Sequence, residues 1–236
     1  MAILCALDFG NTRIKYGIFN NTDTPQYGFI PYDDGALDIF LKEHNPSDGI
    51  FCHTKTLDEE ILSVLYASHF KNINEFQKLG FNNLYKSPLT LGQDRKAVLC
   101  AISQKANLIN GGLIIDLGTC ATFDYLDSSL NYYGGNIAPG LRMRLRAMHE
   151  FTSKLPLVEP KADWKVIGSD TQTALVAGAM SGLLNEIKGY IRHFDQPSSV
   201  FLTGGDAVYF INRVENCIFA PNLVLDGLVH CFNLNK

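Results

Sequence analysis

Two short apolar stretches, each ending in an aspartate, stand out in the pattern of hydrophobic and polar positions. Residues 2–7 lead into Asp8, and residues 112–115 lead into Asp116. After each aspartate come a glycine, a threonine and then alternating apolar positions. Alternation is typical of a strand with one buried face, and glycine is typical of a tight turn. The pattern therefore predicts the same strand–turn–strand unit twice.

The remaining pattern predicts the elements around these two units. In the first half it predicts a hairpin at 2–19, strands at 26–30 and 49–52, and helices at 36–44, 57–70 and 91–106. In the second half it predicts strands at 112–116, 120–126 and 130–133, a glycine- and proline-rich turn at 134–140, helices at 141–152, 171–193 and 225–232, and an apolar run at 200–206 that ends in glycines. Strands followed by helices, twice over, predict an α/β protein with two similar lobes, 1–110 and 111–236. A ligand is expected where such lobes meet.

Composition narrows the class of partner. The chain has 236 residues, of which 46% are hydrophobic and 19% are charged, with a formal net charge of −4. It contains no block of lysine and arginine, so nucleic acid and anionic membranes are not expected as partners. Its apolar runs are too short for a membrane span, and the first residues do not form a signal peptide, so we expect a cytoplasmic protein. The six cysteines show no close pairs, which argues against a disulfide scaffold or a zinc site.

The first turn, from Asp8 to Lys15, has two interpretations. It suits phosphate binding, because the N–H groups of Gly10 to Thr12 can point at phosphate oxygens while Asp8 orients magnesium and Lys15 neutralises charge. It also suits an ordinary hairpin, and the spacing of a Walker loop is missing. The second copy at Asp116–Thr119 favours phosphate binding. A third turn, Gly204-Gly205-Asp206, suits the nucleoside side of a nucleotide.

The segment Gly92-Gln93-Asp94-Arg95 also has two interpretations. An aspartate at the start of a helix complements the helix dipole and needs no other role. Alternatively, Asp94 could accept the proton of an attacking hydroxyl while Arg95 holds an acidic substrate. The residues of this segment alone leave both open.

In the order of its motifs, the chain resembles the type III pantothenate kinases, members of the actin/hexokinase/Hsp70 ATPase superfamily that are also grouped with Bvg accessory factors. The motifs that carry the resemblance span nearly the whole chain: Asp8–Thr12 with Lys15, Gly92–Arg95, Asp116–Thr119 with Thr122 and Asp124, Gly134–Gly140, Leu155–Pro156, Gly168 with Thr171, and Leu202–Asp206. The resemblance implies two ribonuclease H-like (actin-like ATPase) lobes, each a mixed sheet with helices, facing a central cleft.

The resemblance also implies a function and a set of site residues. The implied reaction is the ATP-dependent phosphorylation of pantothenate to 4'-phosphopantothenate, the first step toward coenzyme A, by a homodimer that uses Mg²⁺ and a monovalent cation, K⁺ or NH₄⁺. The implied ATP-binding residues are Asp8, Phe9, Gly10, Asn11, Thr12, Arg13, Ile14, Lys15 and Thr119. The implied pantothenate-binding residues are Tyr85, Gly92, Gln93, Asp94, Arg95 and Thr171. Asp94 is the implied base, Asp116 the implied ligand of the monovalent cation, and Asp8 the implied partner of magnesium through ATP.

Three other classes remain as alternatives. Another small-molecule kinase or a phosphatase could use the same fold, since a fold does not settle a function; these usually need a longer chain and lack the Gly-x-Asp-Arg segment. A non-catalytic regulatory protein would not be expected to keep Asp8, Lys15, Asp94 and Asp116 together. A filament-forming relative of actin is disfavoured because no sizeable insertions separate the repeated units.

Overall fold

The protein is described by a computed structural model that covers residues 3–20, 24–33, 35–104, 109–194 and 197–236. The chain forms two compact units. Unit 1 comprises Met1–Ala106, Leu130–Tyr132 and Asn222–Lys236, and unit 2 comprises Asn107–Ser129 and Tyr133–Pro221. The predicted lobes were 1–110 and 111–236. In the structure, residues 130–132 and 222–236, which were predicted in the second lobe, belong to unit 1.

Twelve strands and six α-helices are present in the described ranges. The strands are β1 (Leu4–Phe9), β2 (Ile14–Phe19), β3 (Gln26–Ile30), β4 (Asp48–His53), β5 (Phe70–Asn72), β6 (Asn82–Asn83), β7 (Gly112–Leu117), β8 (Cys120–Leu126), β9 (Asn131–Tyr132), β10 (Gly135–Pro139), β11 (Ser199–Thr203) and β12 (Cys217–Phe219). The helices are α1 (Ala36–His44), α2 (Glu59–Ala67), α3 (Gln93–Ser103), α4 (Leu141–Glu150), α5 (Thr171–His193) and α6 (Leu223–Leu234).

Unit 1 is built around a five-stranded sheet with the order β3-β2-β1-β4-β5. β1 pairs antiparallel with β2 and parallel with β4, and every residue of β1 is buried. Leu7 and Phe9 of β1 share a core with Phe40 of α1 and Leu65 of α2. Because successive side chains of a strand point to opposite faces, Asp8 points away from this core.

The C-terminal helix belongs to unit 1 because it packs closely on α3. A β-carbon at Gly227 of α6 would overlap the carbonyl oxygen of Ala97 in α3, so only glycine permits this approach of the two helices. α6 also contacts β1 and β4. The last helix of the chain therefore supports the helix that begins with Gln93 and Asp94.

Unit 2 contains a second five-stranded sheet, with the order β10-β8-β7-β11-β12. β7 and β8 form an antiparallel hairpin, and β11 runs parallel to β7, which repeats the arrangement of β1, β2 and β4. The core of unit 2 combines residues of β7 and β8 with α4 and the long helix α5; Leu145, Met180 and Leu183 are among its members.

Most predicted elements are confirmed, and two were wrong. The helix predicted at 57–70 ends at Ala67, and Phe70 begins strand β5, where its ring is buried in the core of unit 1. Residues 134–140 were predicted as a turn, but Gly135–Pro139 form β10, which pairs antiparallel with β8. A proline is tolerated there because β10 is the last strand in the sheet order. The end of the predicted helix 91–106 lies outside the described residues.

Candidate active site

The first turn connects β1 to β2 and exposes its tip. Gly10 donates its N–H to the carbonyl oxygen of Asp8 at 3.1 Å, and the side chains of Asn11 and Thr12 are exposed. The hydroxyl of Tyr32, which is not part of the turn, donates to the Gly10 carbonyl oxygen at 2.6 Å and stabilises the turn. A glycine-containing turn with exposed backbone, held at the end of a buried strand, can present N–H groups to an anion.

The predicted ATP-binding residues of this turn differ in exposure. Phe9 and Ile14 are buried in the core of unit 1, so their side chains anchor the turn. Arg13 is exposed, and its guanidinium carbon lies 3.7 Å from the ring centroid of Phe29. Such a cation–π contact directs the Arg13 side chain toward β3.

Asp8 is buried at the base of the turn and is paired. Lys15 Nζ lies 3.3 Å from Asp8 Oδ2, and the Cys52 thiol donates to Asp8 Oδ1 at 3.5 Å. Asp8 and Cys52 are register partners in the parallel pair β1–β4, so their side chains point to the same face. This face is opposite to the one that packs on α1 and α2.

The pKa of the Cys52 thiol is affected by two carboxylates from separate sequence motifs. Its pKa is raised well above the ordinary value, first by burial and then by the negative charges of Asp8 and Asp94, and Lys15 opposes the rise. Asp8 also contributes to raising the pKa of Tyr32 to about 12, after burial. Cys52 also contacts Asp8 directly, and its neighbour His53 is hydrogen-bonded to Gln93, so β4 connects the first turn to the start of α3.

Residues Gly92–Arg95, here called the base segment, lie at the start of α3. Asp94 Oδ1 accepts the backbone N–H of Arg95 at 2.8 Å. A β-carbon at Gly92 would lie 2.6 Å from the same oxygen, so glycine leaves space for the Asp94 carboxylate. The partial positive charge at the start of a helix attracts an acidic side chain at this position.

The side chain of Gln93 links the base segment to the first sheet. Its Oε1 accepts from the backbone N–H of His53 and from Asn72 Nδ2, each at 3.0 Å. His53 Nδ1 lies 2.8 Å from the carbonyl oxygen of Lys55, which can only accept, so Nδ1 carries the proton. His53 Nε2 therefore accepts from Gln93 Nε2 at 3.1 Å. Sequence reasoning missed His53 and Asn72, and no local signal marks either.

The predicted pantothenate-binding residues of unit 1 include a tyrosine outside the base segment. Tyr85 is half-buried, and its N–H donates to Asn83 Oδ1 at 3.2 Å. Arg95 is buried, and both residues contact the same side chain, Tyr132. Tyr85 and Arg95 therefore lie on either side of a shared contact residue, Tyr132.

In unit 2, the second turn connects β7 to β8 and contains Gly118 and Thr119. Thr119 is exposed, and Asp116 is half-buried just before it. Gly118 donates to the carbonyl oxygen of Cys120 at 3.0 Å, and Gly140 donates to that of Thr119 at 3.2 Å. A β-carbon at Gly140 would overlap the carbonyl oxygens of Gly118 and Thr119, so α4 can start this close to the turn only from a glycine.

The glycine turn after β11 packs against Asp116. Gly204 has φ +90°, a conformation that side chains other than glycine rarely adopt, and a β-carbon there would lie 2.5 Å from Asp116 Oδ1. Asp206 donates its N–H to the Leu117 carbonyl oxygen at 2.9 Å. Its side chain is buried, and its Oδ1 lies 3.5 Å from Nε of Arg142, which also pairs with Glu159. Arg142 and Glu159 were not predicted.

Thr171 is exposed at the first position of α5. The preceding Asp170 caps this helix: its carboxylate accepts the N–H of Thr173 at 2.9 Å, and the Thr173 hydroxyl accepts the N–H of Asp170 at 3.0 Å. The cap lowers the pKa of Asp170, because the backbone hydrogen bond from Thr173 favours the charged carboxylate. Thr171 is thus held at a defined helix start.

The oxygen ligands at the candidate site suit the two cations that the sequence predicted, Mg²⁺ and a monovalent cation. Within the described ranges, His, Cys, Asp and Glu side chains do not gather in threes or more to hold a metal ion. Mg²⁺ at kinase sites is bound through one or two carboxylates together with substrate phosphates, and buried Asp8 beside an exposed turn fits that pattern. Asp116, a half-buried carboxylate beside backbone carbonyls, offers the oxygen ligands that a hard monovalent cation requires.

Comparison with known sequences decides the family. The family model described as type III pantothenate kinase matches residues 4–193. A type III pantothenate kinase of Bacteroides fragilis (strain YCH46) is 36% identical over 242 residues, which cover 98% of this chain and 97% of that relative. The chain belongs to the type III pantothenate kinase family. The family predicted from the motifs is confirmed.

Comparison with solved structures confirms the predicted fold class, an actin-like ATPase fold of mixed sheets with helices. A Campylobacter jejuni chain that carries a Baf family name has a TM-score of 0.64 at 22% identity, with 99% of this chain and 98% of that chain covered. A Sinorhizobium meliloti chain named as a 2-dehydro-3-deoxygalactonokinase has a TM-score of 0.59 at 11% identity, with 98% and 96% covered. In the part of the chain that the structure describes, no helix has the length and apolar character needed to span a membrane.

Proposed function

We propose that this member of the type III pantothenate kinase family transfers the γ-phosphoryl group of ATP to the primary hydroxyl of pantothenate. The product is 4'-phosphopantothenate, and the reaction is the first step toward coenzyme A. Family membership supports the substrates. The observation that carries the assignment of roles is the connection that β4 makes: Cys52 donates to Asp8, and the next residue, His53, is hydrogen-bonded to Gln93 beside Asp94. It joins the phosphate turn to a candidate base within unit 1.

The first turn would hold the phosphates of ATP. Phosphoryl transfer requires mainly positioning and neutralisation of charge, with little covalent work by the protein. The exposed backbone of residues 10–12 would donate to phosphate oxygens, and Lys15 would neutralise charge near Asp8. Asp8 would orient the magnesium ion that accompanies ATP, and this ion would supply positive charge to offset the charge of the phosphates. Thr119 in unit 2 would also contact ATP.

Asp94 would accept the proton from the attacking hydroxyl. A general base must lie within hydrogen-bond reach of that proton, and Asp94 is half-buried at a helix start with its carboxylate held by the N–H of Arg95. Arg95 would bind the anionic acceptor, because a planar guanidinium can hold a carboxylate through paired hydrogen bonds. Gly92, Gln93 and Tyr85 would complete the acceptor pocket of unit 1. Thr171 is also proposed to contact pantothenate, as the family resemblance implies.

The test of this assignment is the substitution Asp94→Asn, compared with Asp58→Asn. Asp58 is an exposed aspartate at the start of α2 whose side chain makes no capping hydrogen bond, so it controls for the loss of a charge at a helix terminus. We expect Asp94→Asn to lower kcat by about 100-fold to 10,000-fold, the usual contribution of a general base, with ATP affinity retained. Full activity in Asp94→Asn would mean that the base lies elsewhere. A non-catalytic binding protein would bind ATP without turnover in the unmodified chain.

We also propose that Asp116 binds K⁺ or NH₄⁺ and that this cation is needed for activity. The carboxylate is half-buried beside the glycine turn of residues 204–205, close to backbone oxygens. Replacing K⁺ with Na⁺ at constant ionic strength should lower the rate. An unchanged rate would argue against a selective cation site at Asp116.

The functional form is proposed to be a homodimer. In unit 2, β10 is the last strand in the sheet order, and Ile137 on it is 63% exposed, as is expected of a surface that a second copy covers. Sedimentation of the wild type should give a dimer, and Ile137→Asp should weaken it. The matched control is Ile39→Asp on α1, where the isoleucine is 66% exposed. A monomeric wild type would contradict the proposal.

A further inference from the structure

A three-residue segment from the second half of the chain is part of unit 1. In β9, Asn131 and Tyr132 pair parallel with Asn82 and Asn83 of β6. Two backbone hydrogen bonds of 2.8 Å hold the pair: Asn82 N–H donates to the Leu130 carbonyl oxygen, and the N–H of residue 84 donates to that of Tyr132. The side chains of Asn82 and Asn131 are also joined, at 3.0 Å. These bonds hold the short strand β9 in a single register against β6.

This register places the ring of Tyr132 in the interior of unit 1. The side chain is fully buried, and it contacts the rings of Phe81 and Tyr85, with centroids at 6.1 and 6.0 Å. Two aromatic neighbours on the segment before α3 thus fix the plane of the Tyr132 ring. A buried aromatic ring held on two sides has little freedom to move.

The hydroxyl of Tyr132 accepts a hydrogen bond from Arg95 Nη2 at 2.7 Å. Arg95 is also buried, so this bond joins a cation and a phenol away from bulk water. Hydrogen bonds to charged groups contribute more than those between neutral groups. Because the guanidinium is planar and rigid, fixing one of its nitrogens fixes the direction of the others.

We propose that Tyr132 is a positioning residue for the acceptor: its hydroxyl holds the Arg95 guanidinium in the orientation that binds the carboxylate of pantothenate. The proposal rests on the proposed function of Arg95. Tyr132 itself lies outside the sequence motifs that carry the family resemblance. Tyr132 acts through Arg95 and contacts Tyr85, so one side chain orders two of the predicted acceptor-binding residues.

The alternative is that Tyr132 is only a core aromatic, and a matched pair of variants separates the two roles. Tyr132→Phe removes the hydroxyl and keeps the ring. Tyr27→Phe removes a hydroxyl that donates to Asp226 at 2.5 Å, which is also a hydrogen bond with a charged partner in unit 1. Both variants lose stability through one hydrogen bond, but only the first loses the contact with Arg95.

The experiment is steady-state kinetics at temperatures well below the melting temperature of each variant, with pantothenate binding measured by calorimetry. We expect Tyr132→Phe to raise KM and Kd for pantothenate by about tenfold, the effect of one hydrogen bond to a charged group, with kcat changed less and KM for ATP unchanged. Tyr27→Phe should leave all four constants as in the wild type. In a double-mutant cycle, Tyr132→Phe should add nothing to the KM of Arg95→Gln.

Three kinetic or binding results would overturn the proposal. These are an unchanged KM and Kd in Tyr132→Phe, an effect that Tyr27→Phe reproduces, or additive effects in the cycle with Arg95→Gln. A Tyr132→Phe protein that does not fold would make the hydroxyl a structural group and would likewise remove the assignment. Failure of the proposed function is a separate result: a wild type that does not phosphorylate pantothenate.

Discussion

Lys15 Nζ lies 3.3 Å from Asp8 Oδ2, across the hairpin that carries the first turn. The two residues are directly opposite each other in the antiparallel pair β1–β2, so the hairpin itself brings the charges together. Asp8 is almost completely buried, whereas the Lys15 side chain is 31% exposed. The lysine can therefore neutralise the aspartate and still reach a phosphate at the tip of the turn.

This pair predicts that Lys15→Met weakens ATP binding by about tenfold or more, because a charge-assisted contact with phosphate is lost. Affinity for ATP with magnesium is measured by calorimetry. The control is Lys42→Met on α1, which is exposed and outside the candidate site. Equal ATP affinity in both variants would show that Lys15 does not reach the nucleotide.

Gly92→Ala should impair catalysis more than stability. The backbone of Gly92, with φ −51° and ψ 137°, suits any residue, but a β-carbon would lie 2.6 Å from Asp94 Oδ1. The flexible carboxylate has to move, and displacement of a reacting group by about 1 Å can cost about a hundredfold in rate. We expect a fall in kcat of that order with the melting temperature nearly unchanged.

The control for Gly92→Ala is Gly189→Ala in α5, where a β-carbon meets no neighbour within 4 Å. That variant should keep full activity, since it only adds helix propensity. If Gly92→Ala were as active as Gly189→Ala, the position of the Asp94 carboxylate would not matter for the reaction.

Gly204→Ala should destabilise unit 2, whereas Gly205→Ala should not. Gly204 has φ +90°, and its β-carbon would approach Asp116 and Leu117; a β-carbon at Gly205 has no atom within 4 Å. Alanine at a positive φ costs more than about 1 kcal/mol of unfolding free energy, because the native conformation becomes strained. Denaturant unfolding measures both. Equal stability of the two variants would contradict the close packing at Asp116.

The carboxyl group of Asp206 predicts a pH-dependent contribution to stability. Burial raises its pKa, although Arg142 opposes the rise. The folded protein therefore holds this proton to a higher pH than the unfolded chain does. The contribution is fully present below the unfolded pKa of about 3.9, and it is lost as the pH rises through the folded pKa.

Asp206→Asn does not ionise and cannot suffer this loss. The melting temperature of the variant, relative to the wild type, should therefore rise as the pH increases from about 4 to about 7. Asp163→Asn, at an exposed aspartate, should show no such trend. A difference between Asp206→Asn and wild type that is constant across this range would mean that Asp206 is not perturbed as described.

The repeated hairpins and most helices could be predicted because local pattern determines them. α5 was predicted with its observed bounds, since an apolar stripe continues over the whole helix between its capping residue Asp170 and its basic end. The start of β5 at Phe70 could not be predicted, because a buried aromatic residue fits the end of a helix and a strand equally well. The edge strand β10 was hidden by its glycine and proline content.

The contacts that complete the candidate site were not predictable, for a physical reason. Gln93, His53 and Asn72 come from three elements, and their hydrogen bonds exist only after β4 and β5 pair beside α3. The pairing of β6 with β9, which brings Tyr132 to Arg95, joins segments that are even farther apart in the sequence. His53, Asn72 and Tyr132 carry no periodic or motif signal, so the sequence predicted the motif residues and missed the side chains that contact them.

The most direct measurement is the dependence of ADP release on the acceptor. Purified protein with ATP, Mg²⁺ and K⁺ is assayed alone and with pantothenate, glucose or acetate, and the phosphorylated product is identified by mass. We predict ADP release only with pantothenate, matched mole for mole by 4'-phosphopantothenate. Equal turnover with glucose or acetate, or no turnover with any acceptor, would contradict the account.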